Sequence, residues 1–346
     1  MLQSKQEAVE NLFSSVKTVI IDEVHALLNT RRGIQLAASL EWLAEFAGDF
    51  QRIALSATVK PAETAAAFAV GASARTTPPS PRPITIIECP NTRQLDVKVR
   101  LLPEPDITVA DDHAWKRVAQ VVRPHLQTNH STLIFCNARN TCEKISQNIN
   151  DGQNSLLAFS HHGSLSKEIR QTVEKRMKAG ELKAIVATSS LELGIDIGAI
   201  DEVVLVNAPS SIAAATQRIG RAGHRVGVAS HALLLATHPH ELLQAIAIRD
   251  AVVEKDIELS QPPQNCLDIL AQIILAVALH TPRKLDDLFN FITSIWSYRN
   301  LPRQHFDAVI QLLAGRYSNL SVTALRPRLN LSEDGTTCQT RHDASN

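Results

Sequence analysis

Asp22 and Glu23 stand side by side after an apolar run that ends at Ile21, and His25 follows directly behind Val24. An acidic residue at the carboxyl end of a buried strand can hold a divalent cation, often through water. A neighbouring carboxylate can act as general base toward an attacking water. Far downstream, Gln217-Arg218-Ile219-Gly220-Arg221-Ala222-Gly223-His224-Arg225 brings two guanidinium groups to one helical face, because Arg218 and Arg221 are three apart. A guanidinium aimed at charge developing on a transferred phosphoryl group stabilises the transition state, and Gly220 and Gly223 allow close approach. Taken alone, Asp22-Glu23 reads as a solvated loop after a strand, and the arginine segment as a basic helix end complementing its dipole. Their occurrence together favours phosphoryl-transfer chemistry, with a nucleoside triphosphate such as ATP and Mg2+ as the matching ligands and Asp22 as the metal-binding carboxylate.

Weaker groups lie between these two. Ser56-Ala57-Thr58 ends the next strand, where the hydroxyls of Ser56 and Thr58 can bond His25 and Asp22; Thr58 could equally cap a helix. Phe135-Cys136-Asn137-Ala138-Arg139 ends a strand and opens a helix, a junction whose N–H groups attract anions, including a nucleic-acid phosphate near Asn137 and Arg139. In Ala187-Thr188-Ser189-Ser190-Leu191-Glu192-Leu193-Gly194-Ile195-Asp196, the Thr188 hydroxyl suits a strand phosphate. Gly194 permits close backbone approach, and Asp196 can accept from a ribose hydroxyl; a plain structural loop is the alternative. His161-His162 invites a metal reading, which fails because adjacent strand residues face opposite ways and no further ligands lie nearby in sequence.

The elements that would position these residues follow an alternating rhythm. Short apolar runs at Val16–Ile21 and Arg52–Ser56 enclose a helical pattern through Leu36, Leu40 and Leu43. After the Pro-rich stretch Thr77–Pro83 the rhythm resumes, with strands predicted at 131–135, 156–159, 184–187, 203–206 and 232–236. Helices are predicted at 114–126, 138–149, 166–178, 211–221 and 239–253. This βα alternation implies an α/β fold with a parallel sheet and flanking helices. Beyond Gln261-Pro262-Pro263 the pattern turns helical, at 265–279, 285–294 and 302–314. The expected organisation is a partial first α/β domain at 1–77, a linker at 78–83 and a complete second domain at 84–255. A smaller, mainly helical domain at 256–330 and a polar, irregular tail at 331–346 complete it. The half sheet of the first domain would leave an unpaired edge and poor solubility.

Composition narrows the class. Lys plus Arg total 35 and Asp plus Glu total 35, so any nucleic-acid surface must be local. Aromatic residues are 4%, which excludes an aromatic base-stacking platform. The five cysteines contain no Cys-x-x-Cys spacing, against zinc or a disulfide frame and for a reducing, cytoplasmic setting. No apolar run reaches membrane-spanning length, and no secretory pattern opens the chain.

In order and spacing these segments resemble the motifs of superfamily 2 (DEAD/DEAH-box) helicases: Asp22–His25 as the Walker B segment, then Ser56–Thr58, Thr188–Asp196 and Gln217–Arg225. The words IDEVHAL, RRG, HHGSLS, ATSSLELGIDIG, QRIGRAGHR, PPQNCLDILAQ and YRNLPRQHFDAVIQLLAGRY resemble, more narrowly, the large helicase-related (Lhr) family. The resemblance implies two RecA-like domains closing on ATP, 3′-to-5′ movement on a strand, and a winged-helix segment behind them. It implies single-stranded or partly duplex DNA, or an RNA–DNA hybrid, as partner. By motif position Asp22 binds Mg2+, Glu23 activates water with His25 beside it, and Arg218 and Arg221 serve the γ-phosphate and its coupling. Gly194, Asp196 and Gln217 sit at the nucleotide; Ser56, Thr58, Asn137, Arg139 and Thr188 serve the strand or its coupling. The chain departs from the family at His224, where many relatives carry arginine, and contains no Gly-Lys pair and hence no phosphate-gripping loop. It is therefore expected to be an internal piece of such an enzyme that hydrolyses ATP negligibly by itself. A non-enzymatic binding module and a Ski2-like RNA helicase are the rival readings.

Overall fold

The computed structural model describes residues 12–57, 59–89, 94–104, 113–191, 198–223, 229–279, 281–316 and 326–341. The chain forms two compact units, one joining residues 1–88 to 259–346 and the other spanning 89–258.

In the first unit, β1 (Thr18–Ile21) and β2 (Gln51–Ala54) pair in parallel, Ile21 beside Ala54. The intervening helix Arg31–Ala47 is capped by Thr30, whose hydroxyl accepts from the Gly33 N–H at 3.1 Å. Gly33 is required there, because a Cβ would fall on the Leu27 carbonyl oxygen and press on the Phe68 ring. The RRG triplet thus lets the helix pass close to the turn that carries His25. A short antiparallel pair, β3 (Ala72–Ser73) with β4 (Ser80–Pro81), follows the helix Ala62–Val70.

The Pro-rich segment differs from the expected linker. Arg82 binds both oxygens of Glu41, at 3.0 and 2.9 Å, and donates to the Val70 and Ala72 carbonyls. It also meets Asp49 at 3.1 Å. Arg52 joins the same carboxylate at 2.6 Å, and the Glu41 and Arg52 side chains are only 3% and 4% exposed. Proline excludes a helix or a central strand here, as read from the sequence, but the segment forms the short edge strand β4 and the charge network fastens it to the first unit.

The second unit carries β5 (Leu95–Leu101), β6 (Thr132–Phe135), β7 (Ala158–His161), β8 (Ala184–Ala187), β9 (Glu202–Val206) and β10 (Ser230–Ala236). They form one sheet in the order β5-β10-β9-β6-β8-β7, every pairing parallel. Side chains alternate between its faces. Leu133, Phe135, Ile185, Leu205 and Leu234 pack with Val173 and Met177, Ala215 and Ile219, and Ala245 and Val252 of the helices on one side. Ile134, Val186, Val204 and Leu235 pack with Val118, Val122, Ile145 and Ile149 on the other. Continuous apolar strands are what burial on both faces demands. The predicted strand at 156–159 lies at 158–161, and β5 was not read from the sequence. Leu95–Leu101 mixes Asp96, Lys98 and Arg100 with its apolar residues, the mark of an edge strand.

The chain then re-enters the first unit. Helices Leu267–Val277, Leu285–Ser294 and Arg303–Leu313 accompany a small antiparallel sheet of β11 (Arg283–Lys284, between the first two helices), β12 (Leu329–Leu331) and β13 (Thr337–Thr340), ordered β11-β13-β12. This is a winged-helix arrangement. It shares one core with residues 12–88: Ile34, Ala37, Leu40 and Phe68 belong to the same buried cluster as Leu270, Ile274, Phe291 and Ile310. The tail expected from Leu331 onward is corrected for 337–340, where a strand forms and Cys338 is buried. Its polar residues misled the reading: Thr340 donates to the Leu275 carbonyl at 2.8 Å, so a polar side chain is satisfied in the interior.

Candidate functional site

In the first unit the chemistry-bearing residues collect at the carboxyl end of β1. Ile21 is buried, and its carbonyl accepts from the Leu55 N–H at 2.8 Å, while the Val24 N–H donates to the Leu55 carbonyl at 3.0 Å. These bonds carry the strand pairing past the acidic pair. Glu23 adopts a left-handed conformation, φ 52°, and its N–H donates to Asp22 Oδ1 at 2.9 Å. A non-glycine residue held there is uncommon and marks a constrained turn.

His25 ties this turn to the next strand end. Its Nδ1 accepts from the Ala57 N–H at 3.1 Å and lies 3.3 Å from Ser56 Oγ. A backbone N–H can only donate, so Nδ1 is the unprotonated nitrogen and the proton sits on Nε2, 3.4 Å from Glu23 Oε2. Burial pushes the imidazole pKa below its ordinary value, and the charges of Glu23 and Asp22 pull it partly back. The geometry therefore joins Asp22, Glu23, His25 and Ser56 in one constellation. Asp22 is exposed, as a carboxylate must be to share a hard cation with phosphate oxygens and water, so the residues fit Mg2+.

In the second unit the site residues lie beyond the carboxyl ends of the parallel strands, where open α/β sheets take their ligands. Asn137 follows β6, and its amide Nδ2 donates to the Ala208 carbonyl beyond β9 at 3.0 Å. Arg139 donates to Ser164 Oγ at 2.6 Å. The Thr188 N–H, after β8, donates to the His161 carbonyl at 3.3 Å. Arg218 is buried on the helix Ile212–Ile219, its guanidinium carbon 5.2 Å from the Phe135 ring centroid and Nη1 3.4 Å from Asn137 Oδ1. Gln217 and Arg221 are half-buried beside it. Gly223, at φ +74°, leaves no room for a Cβ against Ser230, whose hydroxyl donates to the Ala222 carbonyl.

The two histidines rejected as a metal pair each have a separate carboxylate, His161 with Glu174 at 3.2 Å and His162 with Glu143 at 3.1 Å. Among the described residues no group of three or more metal-ligating side chains forms. Two positioning residues escaped the sequence reading. Glu258 caps the helix carrying Arg218, accepting from the Ala213 N–H at 3.1 Å. Asn207, at φ 65°, accepts from the Thr237 N–H at 3.0 Å. An asparagine directly after an apolar strand was the available signal for the latter. Thr58, Gly194, Asp196 and His224 lie outside the described residues.

Comparison with known proteins adds a family dimension. Residues 1–66 match a model described as DEAD/DEAH box helicase, and 114–226 one described as helicase conserved C-terminal domain. Residues 250–345 match the winged helix domain of the large helicase-related protein. The ATP-dependent helicase Lhr-Core of Methanothermobacter thermautotrophicus is 38% identical over 312 residues, covering 89% of this chain and 36% of that protein. The Lhr helicase/probable uracil glycosylase of Mycolicibacterium smegmatis is 37% identical, covering 97% of this chain and 24% of its own length. The chain thus spans about a quarter to a third of these relatives. The solved structure of Mycobacterium smegmatis helicase Lhr bound to ssDNA and AMP-PNP superposes with a TM-score of 0.86 at 39% identity, over 99% of this chain and 43% of that one. The DUF1998 helicase MrfA bound to DNA and AMPPNP, at 19% identity and TM-score 0.72, shares the fold.

Proposed function

The chain belongs to the Lhr family of superfamily 2 helicases, and on that premise we propose that it forms part of an ATP-driven helicase that moves 3′ to 5′ along single-stranded DNA and opens partly duplex DNA or RNA–DNA hybrids. The observation that carries this reading is the His25 bridge. An imidazole held on Nδ1 by the Ser56-Ala57 strand end, with Nε2 3.4 Å from Glu23 Oε2, gives the base a neighbour of fixed tautomer and sets it beside a second segment. In a solvated loop the imidazole beside the carboxylate would have no such anchor.

In this reading Asp22 would hold Mg2+, which when bound would neutralise negative charge on the triphosphate. Glu23 takes the proton of the attacking water at a carboxylate oxygen. His25 keeps its Nε2–H 3.4 Å from Glu23 Oε2, a donor within reach of that carboxylate once it shifts by a few tenths of an ångström. From the second unit Arg221 supplies the guanidinium for γ-phosphate charge, with Gln217 on the same helix, while Asn137, Arg139 and Thr188 meet the strand at the carboxyl ends of β6 and β8. The five cysteines are all free, which suits a reducing cytoplasm. Among the described residues no helix is long and apolar enough to cross a membrane.

The test replaces the matching segment of the Mycolicibacterium smegmatis Lhr helicase with this chain. Phosphate release stimulated by single-stranded DNA is the expected result. A chimera that binds the strand yet shows no stimulated turnover would support the binding-module alternative instead.

A further inference from the structure

We propose that Arg218 is a positioning residue for strand binding, acting through Asn137, rather than a group that touches nucleotide or nucleic acid. The inference rests on the helicase reading above and sharpens its strand side.

Asn137 sits where the order of the parallel sheet reverses, between β6 and β9, with β8 on the other side of β6. Its amide is fixed at both ends. Nδ2 donates to the Ala208 carbonyl at 3.0 Å, and Oδ1 accepts from Arg218 Nη1 at 3.4 Å. A flipped amide would set NH2 against guanidinium donors and oxygen against a carbonyl, so the two partners together dictate one orientation. Arg218 is itself held: the residue is 6% exposed and its guanidinium lies on the Phe135 ring, 5.2 Å from the centroid. The helix that carries it is capped by Ser211 and Glu258.

The turn so fixed leads straight into the helix Arg139–Asn150. The residue at its N-cap, Ala138, offers no side-chain cap, leaving the first N–H groups for another acceptor. Arg139 follows, exposed apart from its bond to Ser164. A DNA phosphate meeting this turn would be held by backbone N–H groups and Arg139, in a geometry that Asn137 sets and Arg218 enforces. A buried planar fork that stacks and donates at once is a task lysine cannot take over.

The experiment measures binding of a fluorescent single-stranded oligonucleotide by the 346-residue chain, without ATP, across a range of salt. Arg218→Gln, Arg218→Lys and Asn137→Ala should each weaken binding about five-fold. The dependence of log affinity on log salt should be unchanged, because no phosphate-facing charge is lost. The Arg218→Gln, Asn137→Ala double variant should bind no worse than the weaker single one, as expected for two residues acting through one bond. Arg139→Gln, by contrast, should shallow the salt slope by about 0.7, the value for one phosphate on a single strand. Asn137 is exposed, so Asn137→Ala leaves the core intact and tests the chain of action even where an Arg218 variant folds poorly. A slope reduced by about 0.7 in Arg218→Gln would overturn the proposal by placing that guanidinium on a phosphate. Unchanged affinity in Asn137→Ala, with the parent chain binding normally, would overturn it too. Absence of binding by the parent chain would remove the strand reading and this inference with it.

Discussion

Among single side chains, His25 carries the clearest physical consequence. Protonation would place a hydrogen on Nδ1 against the Ala57 N–H, so the folded state prefers the neutral ring, in line with its lowered pKa. Burial lowers the pKa of His161 as well, opposed by Glu174. For a histidine with depressed folded pKa, the unfolded chain binds more protons as pH falls below about 6.5. Stability is then fully present above that value and declines as pH drops through the folded pKa. Denaturant midpoints should fall on acidification from pH 7 to 5.5, and the His25→Asn, His161→Asn double variant should flatten that profile. An equally steep profile in the double variant would assign the acid sensitivity to other groups. The acidic pair and His25 stand out in the sequence only in company with the arginine segment, because surface carboxylates are the default for a lone Asp-Glu. The Ser56 hydroxyl was expected near His25 and lies 3.3 Å from Nδ1, but the Ala57 N–H contact was not legible, since it depends on the register between β1 and β2.

At the scale of elements, the parallel strands of the second unit were legible because burial on both faces makes them continuous apolar runs such as Thr132–Phe135 and Ala184–Ala187. The Val24–Leu28 helix and β5 were not: one is a single turn after the acidic pair, the other a charged edge strand. The Pro-rich segment shows how charge decides where composition is silent. Glu41 lies beneath both Arg52 and Arg82, and removing it would strand two buried guanidinium groups. Glu41→Gln should lower the stability of the first unit by about 3 kcal/mol, read as a shift in urea midpoint with the slope unchanged. A shift below ~1 kcal/mol, the value of an exposed pair, would show that solvent reaches the network.

At the scale of the molecule, the winged-helix segment is part of the first unit's interior. Gln35 bonds Gln272 at 3.0 Å, Arg283 meets Glu45 at 2.8 Å, and Asn290 donates to the Ala74 carbonyl at 2.7 Å. Around these lies one apolar cluster, in which each fully buried Leu, Ile or Phe contributes about 1.5–3 kcal/mol. The individual helices were readable from their periodicity; their docking against residues 12–88 was not, because contacts between segments so distant in sequence leave no local pattern. A chain ending at residue 258 should therefore keep the 89–258 unit folded and lose the first. Limited proteolysis would show rapid cleavage within 12–88 beside a resistant fragment. Persistent protection of 12–88 in that shortened chain would mean that β1, β2 and their helices stand without the winged-helix segment.

Under the proposed function Glu23 and Arg221 act on one triphosphate, and this is read from DNA-stimulated phosphate release by the Mycolicibacterium smegmatis Lhr chimera carrying Glu23→Gln or Arg221→Gln. Each substitution should cut turnover about 1000-fold while leaving affinity for single-stranded DNA unchanged. Turnover within ~10-fold of the parent chimera for either variant, small against the arginine-finger effect, would contradict it.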